Sequence, residues 1–114
     1  MLIPNGVRIF VASEPVDLRR SFDGLAATTS EILKQDPLSG HLFVFRNRAG
    51  HRLKALLWDR TGWIILYKRL ESGVFHFPVS EDGSVELDAG QLRRLLDGIG
   101  PAGGSRRRPM VAVR

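Results

Sequence analysis

Cysteine is absent from the 114-residue chain. That excludes a disulfide framework, a thiolate nucleophile and cysteine-ligated zinc, and it suits a reducing compartment. No apolar run approaches the roughly 20 residues a membrane-spanning helix needs. The opening residues 1–6 lack the pattern of a secretory leader, so a cytoplasmic protein with no membrane partner is expected. Lysine is scarce, with 3 Lys against 14 Arg. Acids are scarce in one block: residues 41–70 carry seven cations and Asp59 alone as an anion. A catalytic constellation is missing as well. There is no Walker loop, dinucleotide fingerprint or serine elbow, and His41, His51 and His76 do not fall at ligand spacing, so no metal, cofactor or catalytic residue is expected.

Hydrophobic residues make up 43% of the chain and charged residues 25%, which excludes disorder throughout and fits one core. The length predicts a single domain over residues 1–101, followed by a flexible basic tail over 102–114 in which Gly, Ser, Pro and Arg dominate.

The net charge is +5, yet residues 41–70 alone hold +6, residues 1–40 hold −1 and residues 71–105 hold −4. Such asymmetry indicates a local basic surface. Arginine makes bidentate phosphate contacts and stacks on planar rings, which leans the reading towards nucleic acid.

The pattern predicts an α+β fold: an antiparallel β-meander of about four to five strands with two helices packed on one face. Residues 7–11 read as a short strand. Asp17 reads as the cap of a helix running to Lys34 through Leu18, Phe22, Leu25, Ile32 and Leu33, with Gly24 serving close packing. Residues 42–46, 51–58, 63–70 and 74–77 follow as strands between Gly-containing turns, and residues 84–87 could add a short edge strand. Asp88 caps a second helix with Leu92, Leu95, Leu96 and Ile99 as its apolar stripe.

If Arg46 pairs with His51 and Trp58 with Trp63, alternation sorts the meander into two faces. One is aliphatic: Leu42, Val44, Leu53, Ala55, Leu57, Ile64, Leu66 and Leu70, joined by Phe75 and Phe77. The other interleaves rings and cations: Phe43, Phe45, Arg52, Lys54, Trp58, Trp63, Tyr67, Arg69 and His76, with Leu56 and Ile65. Rings beside cations suit bases stacked on aromatics with phosphates on Arg and Lys. The same pattern also suits a protein–protein interface or a packed layer of cation–π contacts.

Several ordered motifs then resemble a known family. Asp17-Leu18-Arg19-Arg20-Ser21-Phe22-Asp23-Gly24-Leu25 is similar to its first block. Asp36-Pro37-Leu38-Ser39-Gly40-His41-Leu42-Phe43-Val44-Phe45 with Arg46-Asn47-Arg48 is similar to its central signature. Trp58-Asp59, Gly62 and Tyr67-Lys68-Arg69-Leu70-Glu71 with Gly73 are similar to its third block. The family is the accessory protein encoded by the second open reading frame of insertion-sequence-sixty-six elements, often labelled TnpB, and the resemblance spans about residues 3–98. It implies a non-catalytic role in DNA transposition beside a separate transposase that carries the acidic catalytic triad.

The expected working surface is Phe43, Phe45, Arg46, Arg48, Arg52, Lys54, Trp58, Arg60, Trp63, Tyr67 and Arg69. Arg19 and Arg20, expected in the first helical turn, are secondary basic candidates with Lys68, Arg106, Arg107 and Arg108. The expected partner is element DNA, the transposase, or both; a protein-only adaptor that never touches DNA is the alternative reading, and a homo-oligomer is compatible with either.

Overall fold

The computed structural model describes residues 6–100. Its sheet has five strands in the order β4-β3-β2-β1-β5. They are β1 (Ile9–Ala12), β2 (Leu42–Arg46), β3 (Arg52–Trp58), β4 (Trp63–Arg69) and β5 (Ser84–Leu87). The helices are α1 (Phe22–Thr28), which continues as a π-helical turn over Thr29–Leu33, and α2 (Ala89–Leu96). The α+β class is as the sequence predicts, and β2, β3 and β4 form the antiparallel meander. The expected tail lies outside the described residues.

The first strand joins the same sheet: β1 runs parallel to β2, with Phe10 beside Phe43, and antiparallel to β5. A parallel pair cannot be closed by a hairpin; its connection must cross over one face of the sheet. Here that connection is α1 with its π-helical turn. Leu25 and Leu33 pack with Phe10, Ala12, Phe43, Phe45 and Leu56 on the ring-bearing face. Leu92 and Leu95 of α2 pack with Ile9, Val11, Leu42, Val44, Leu53, Ala55 and Phe75 on the aliphatic face. The helices therefore cover opposite faces, which corrects the expectation that both lie on one.

Other differences have local causes. Arg46 pairs with Leu53 rather than His51, a shift of two residues, and an even shift leaves every side chain on its expected face. Asp17 does not cap the first helix. Its carboxylate accepts the Arg19 backbone N–H at 3.0 Å and closes a separate turn, so α1 starts after Ser21. Arg19 and Arg20 accordingly precede the helix. Residues 74–77 are irregular, although Phe75 still reaches the core and its N–H donates to Gly50 at 2.8 Å.

Asp88 caps α2 as predicted, accepting the Gln91 N–H at 2.7 Å while the Gln91 side-chain oxygen accepts the Asp88 N–H at 2.8 Å. Thr28 and Thr29 each donate a hydroxyl to the carbonyl four residues back, at the point where α1 widens.

Candidate nucleic-acid interface

α1 packs against β3 and β4, where Leu56, Trp63 and Ile65 lie in its cluster, and its π-helical turn packs against β1. Further along the same face, at the Arg52 end of β3 and the Tyr67 end of β4, the sheet opens into a shallow cleft of about 660 Å³. Its floor is Arg52, Lys54 and Tyr67; one wall is the loop Pro15, Val16, Asp17, Leu18 and Arg19, and the other is Asn47 and Arg48.

Each side chain is placed by a nameable local cause. Lys54 and Tyr67 are direct cross-strand partners, as are Arg52 and Arg69. The Lys54 ammonium lies 5.0 Å from the Tyr67 ring centroid and donates to the Arg20 carbonyl at 2.8 Å, tying the floor to the chain entering α1. Arg52 donates to the Tyr67 hydroxyl, and its guanidinium carbon is 5.9 Å from the same ring. The Asn47 side-chain oxygen accepts from the Gly50 and Arg52 N–H groups, each at 3.0 Å, so the turn presents Arg48 outward. The Val16 N–H donates to the Arg46 carbonyl at 2.9 Å and pins the loop wall to the end of β2.

Among the described residues Asp17 is the only acid lining the cleft. Hydrogen bonds from the Arg19 guanidinium, then from the Arg19 backbone, hold its carboxyl down at about 2, so it is ionised and engaged. Arg69 is shared with Glu71 at 2.9 Å, which blunts the like-charge contact with Arg52. Tyr67 is 51% exposed, with Arg52 and Lys54 both against its ring. Chemically, the cleft offers phosphate donors around a stacking surface.

The structure thus brings together Arg48, Arg52, Lys54, Tyr67 and Arg69, with Arg19 on the opposite wall. It separates the others. Phe43 and Phe45 are wholly buried beneath α1 and have no surface to offer a base, which corrects their expected role. Arg46 turns inward, donating to the Ser13 carbonyl at 3.0 Å and lying over the Phe77 ring at 5.5 Å, so it braces the fold. Lys68 lies on the other face, where it donates to the Leu96 carbonyl at the end of α2. Arg20 donates to the Thr28 hydroxyl at 2.8 Å and packs its stem over Gly24, where a Cβ would sit 2.9 Å from that of Arg20. Trp58 and Trp63 form an edge-to-face pair at 5.0 Å at the far end of the hairpin, next to Arg60 in the turn. His76 is exposed in the irregular segment. Arg106, Arg107 and Arg108 lie outside the described residues.

Sequence reasoning missed the loop wall of Pro15, Val16 and Leu18, since no periodic signal tells which sheet edge a loop will fold against. Asn47 carried a signal, because Asn in a Gly-containing turn often accepts backbone N–H bonds. Among the described residues no three His, Asp or Glu side chains are grouped as a metal site, and no helix is long and apolar enough to cross a membrane.

Residues 7–104 match the family described as IS66 Orf2 like protein. Two proteins of Sinorhizobium fredii (strain NBRC 101917 / NGR234) are similar over most of their length. The uncharacterized protein y4jC is 42% identical over 94 residues, covering 82% of this chain and 80% of its own. The uncharacterized protein y4hO is 41% identical over 100 residues, covering 86% and 87%. No solved structure matches. The chain belongs to the IS66 Orf2 family, and that membership supports an accessory role in transposition.

Proposed function

We propose that the protein is a non-catalytic, cytoplasmic transposition accessory module that holds a nucleic-acid strand of its element in the Arg52–Lys54–Tyr67 cleft beside the transposase. The observation that carries this reading is one half-exposed ring bracketed by Arg52 and Lys54 in an open cleft where the Asp17 carboxylate is already paired with Arg19. Phosphates would take Arg48, Arg52 and Lys54, and an unstacked base would lie on Tyr67. Contacts of this kind follow backbone and ring geometry, so they bring little sequence preference.

The test is a fluorescence-anisotropy titration with single-stranded and duplex oligonucleotides of the element ends. Three phosphate contacts on a single strand weaken binding by roughly 20-fold between 50 and 200 mM salt. Arg52→Ala lowers affinity for both forms and flattens that slope, whereas Tyr67→Ala lowers affinity for single strands more than for duplexes. Transposition that falls in Arg52→Ala when the parent shows no binding to bare nucleic acid would support the adaptor reading, in which the same cleft takes an acidic segment of the transposase.

A further inference from the structure

We infer that the outer edge of β4 is a self-association surface, at which a second copy of this chain adds its own β4 antiparallel and the two sheets become one. The hydrogen-bond phase identifies which backbone groups point away from β3. The Leu70 N–H donates to the His51 carbonyl at 2.8 Å and the Asp59 N–H donates to the Gly62 carbonyl at 3.1 Å. With the observed register, Ile64, Leu66 and Lys68 point their backbone groups inward to β3. Trp63, Ile65, Tyr67 and Arg69 point theirs outward, and β4 is a terminal strand of the sheet.

Edges that stay unpaired are commonly short, bulged, interrupted by proline or charged at their centre. The other edge strand, β5, has four residues with Glu86 among them. β4 has seven residues, reads Trp-Ile-Ile-Leu-Tyr-Lys-Arg, and pairs with β3 without a bulge. Its cations are confined to the last two positions, and Ile64 is 42% exposed.

The charge layout favours a second copy as the occupant. An antiparallel two-fold centred on Ile65 sets Trp63 opposite the partner's Tyr67 and Ile64 opposite the partner's Leu66, both favourable cross-strand pairs. Lys68 and Arg69 then face the partner's Gly62 and the partner's Thr61, so neither meets its own copy. Centring the pair on Arg69 would oppose two guanidiniums. Because opposite residues share a face, the two Tyr67 rings fall on the same side of the joined sheet, roughly 14 Å apart. Nothing in this pairing depends on what the cleft binds.

The test joins light scattering with residue-resolved amide exchange on the full chain at two concentrations. The parent should show about twice its 12.7 kDa monomer mass. The Ile65 and Tyr67 amides should gain protection with concentration, while those of Ile64, Leu66 and Lys68 are protected throughout. Ile64→Lys, which sets a cation opposite the partner's Leu66, should return the mass to that of a monomer with an unchanged circular-dichroism spectrum. Three results overturn the inference: a monomer at every concentration, a dimer in which the Ile65 and Tyr67 amides exchange freely, or protection of those amides in a species of monomer mass, which would mean that another segment of the same chain covers the edge. The exchange pattern of the parent decides the matter even if Ile64→Lys misfolds.

Discussion

Replacing Phe43 by alanine separates the two roles a ring on this face can have. Phe43 has no exposed surface, stacks on Phe10 with ring centroids 5.9 Å apart, and faces Leu56 across the β2–β3 pair. Truncating a ring so enclosed removes its transfer energy and leaves a cavity, together about 3–5 kcal/mol. Total stability for a domain of this kind is on the order of 5–15 kcal/mol, so the variant sits near the threshold of folding. With a urea slope of about 1.5 kcal/mol per molar, the midpoint falls by roughly 2–3 M. Trp58 and Trp63 fluorescence reports the transition, since both rings are partly buried in the folded state. Tyr67→Ala, removing a half-exposed ring from the same sheet, should move the midpoint by less than about 1 M. A Phe43→Ala midpoint no lower than that of Tyr67→Ala would refute the placement of α1 over the ring-bearing face, because an uncovered Phe43 has no cavity to leave.

Arg60 adopts φ of 84°, in the left-handed region that disfavours any residue with a Cβ. Arg60→Gly should therefore raise stability by about 1 kcal/mol, or about 4–8 °C in Tm for a domain of this size, and a fall in Tm would mean that the Arg60 side chain makes a stabilising contact. Asp17 gives a pH signature. Its carboxyl is lowered to about 2 from an ordinary 3.8, chiefly by the Arg19 side chain. A depressed carboxyl contributes stability that is complete above its unfolded range and is lost as pH falls through the folded value, here between about pH 4 and 2. Carboxyl NMR should show the low midpoint in the parent and a return towards the ordinary range in Arg19→Ala; an identical titration in both would remove Arg19 as the cause.

Alternation within β3 and β4 was legible because each strand writes its faces in residue type. Arg52 and Lys54 alternate with Leu53 and Ala55, and Trp63, Ile65 and Tyr67 alternate with Ile64 and Leu66. Face membership even survived the two-residue error in the β2–β3 register, since side chains repeat with a period of two. β1 and β2 write something else. They read Ile-Phe-Val-Ala and, before the closing Arg46, Leu-Phe-Val-Phe, with no polar residue interleaved, and these residues are buried on each side. A short unbroken apolar run marks a strand covered on both faces. Taken at that value, it excludes Phe43 and Phe45 from any exposed surface and calls for a helix on each side of the sheet. What no local pattern carried was the partner of β1, because a parallel neighbour more than thirty residues away leaves no mark in either segment's periodicity. The same gap hid the loop wall of the cleft.

The position of the cleft follows from that one parallel pairing. Crossing from β1 to β2 takes the chain over the ring-bearing face, and the helical segment available, Phe22–Thr28 with Thr29–Leu33, is long enough to cover only part of five strands. Where its cover stops, β3 changes from Leu56 to Lys54 and Arg52 along the same face, that is, from a wholly buried side chain to half-buried cations. Lys54 marks the border, with its ammonium on the Arg20 carbonyl just before α1 and its stem beside Tyr67. The cations of residues 41–70 divide by the same geometry. Arg46 and Lys68 fall where backbone carbonyls of the fold need donors and are used there. Arg48, Arg52 and Lys54 fall where the sheet has run out of helix, and they line the cleft. A basic block that looks uniform along the chain is thus divided by topology into donors to the fold's own carbonyls and cations that line the cleft.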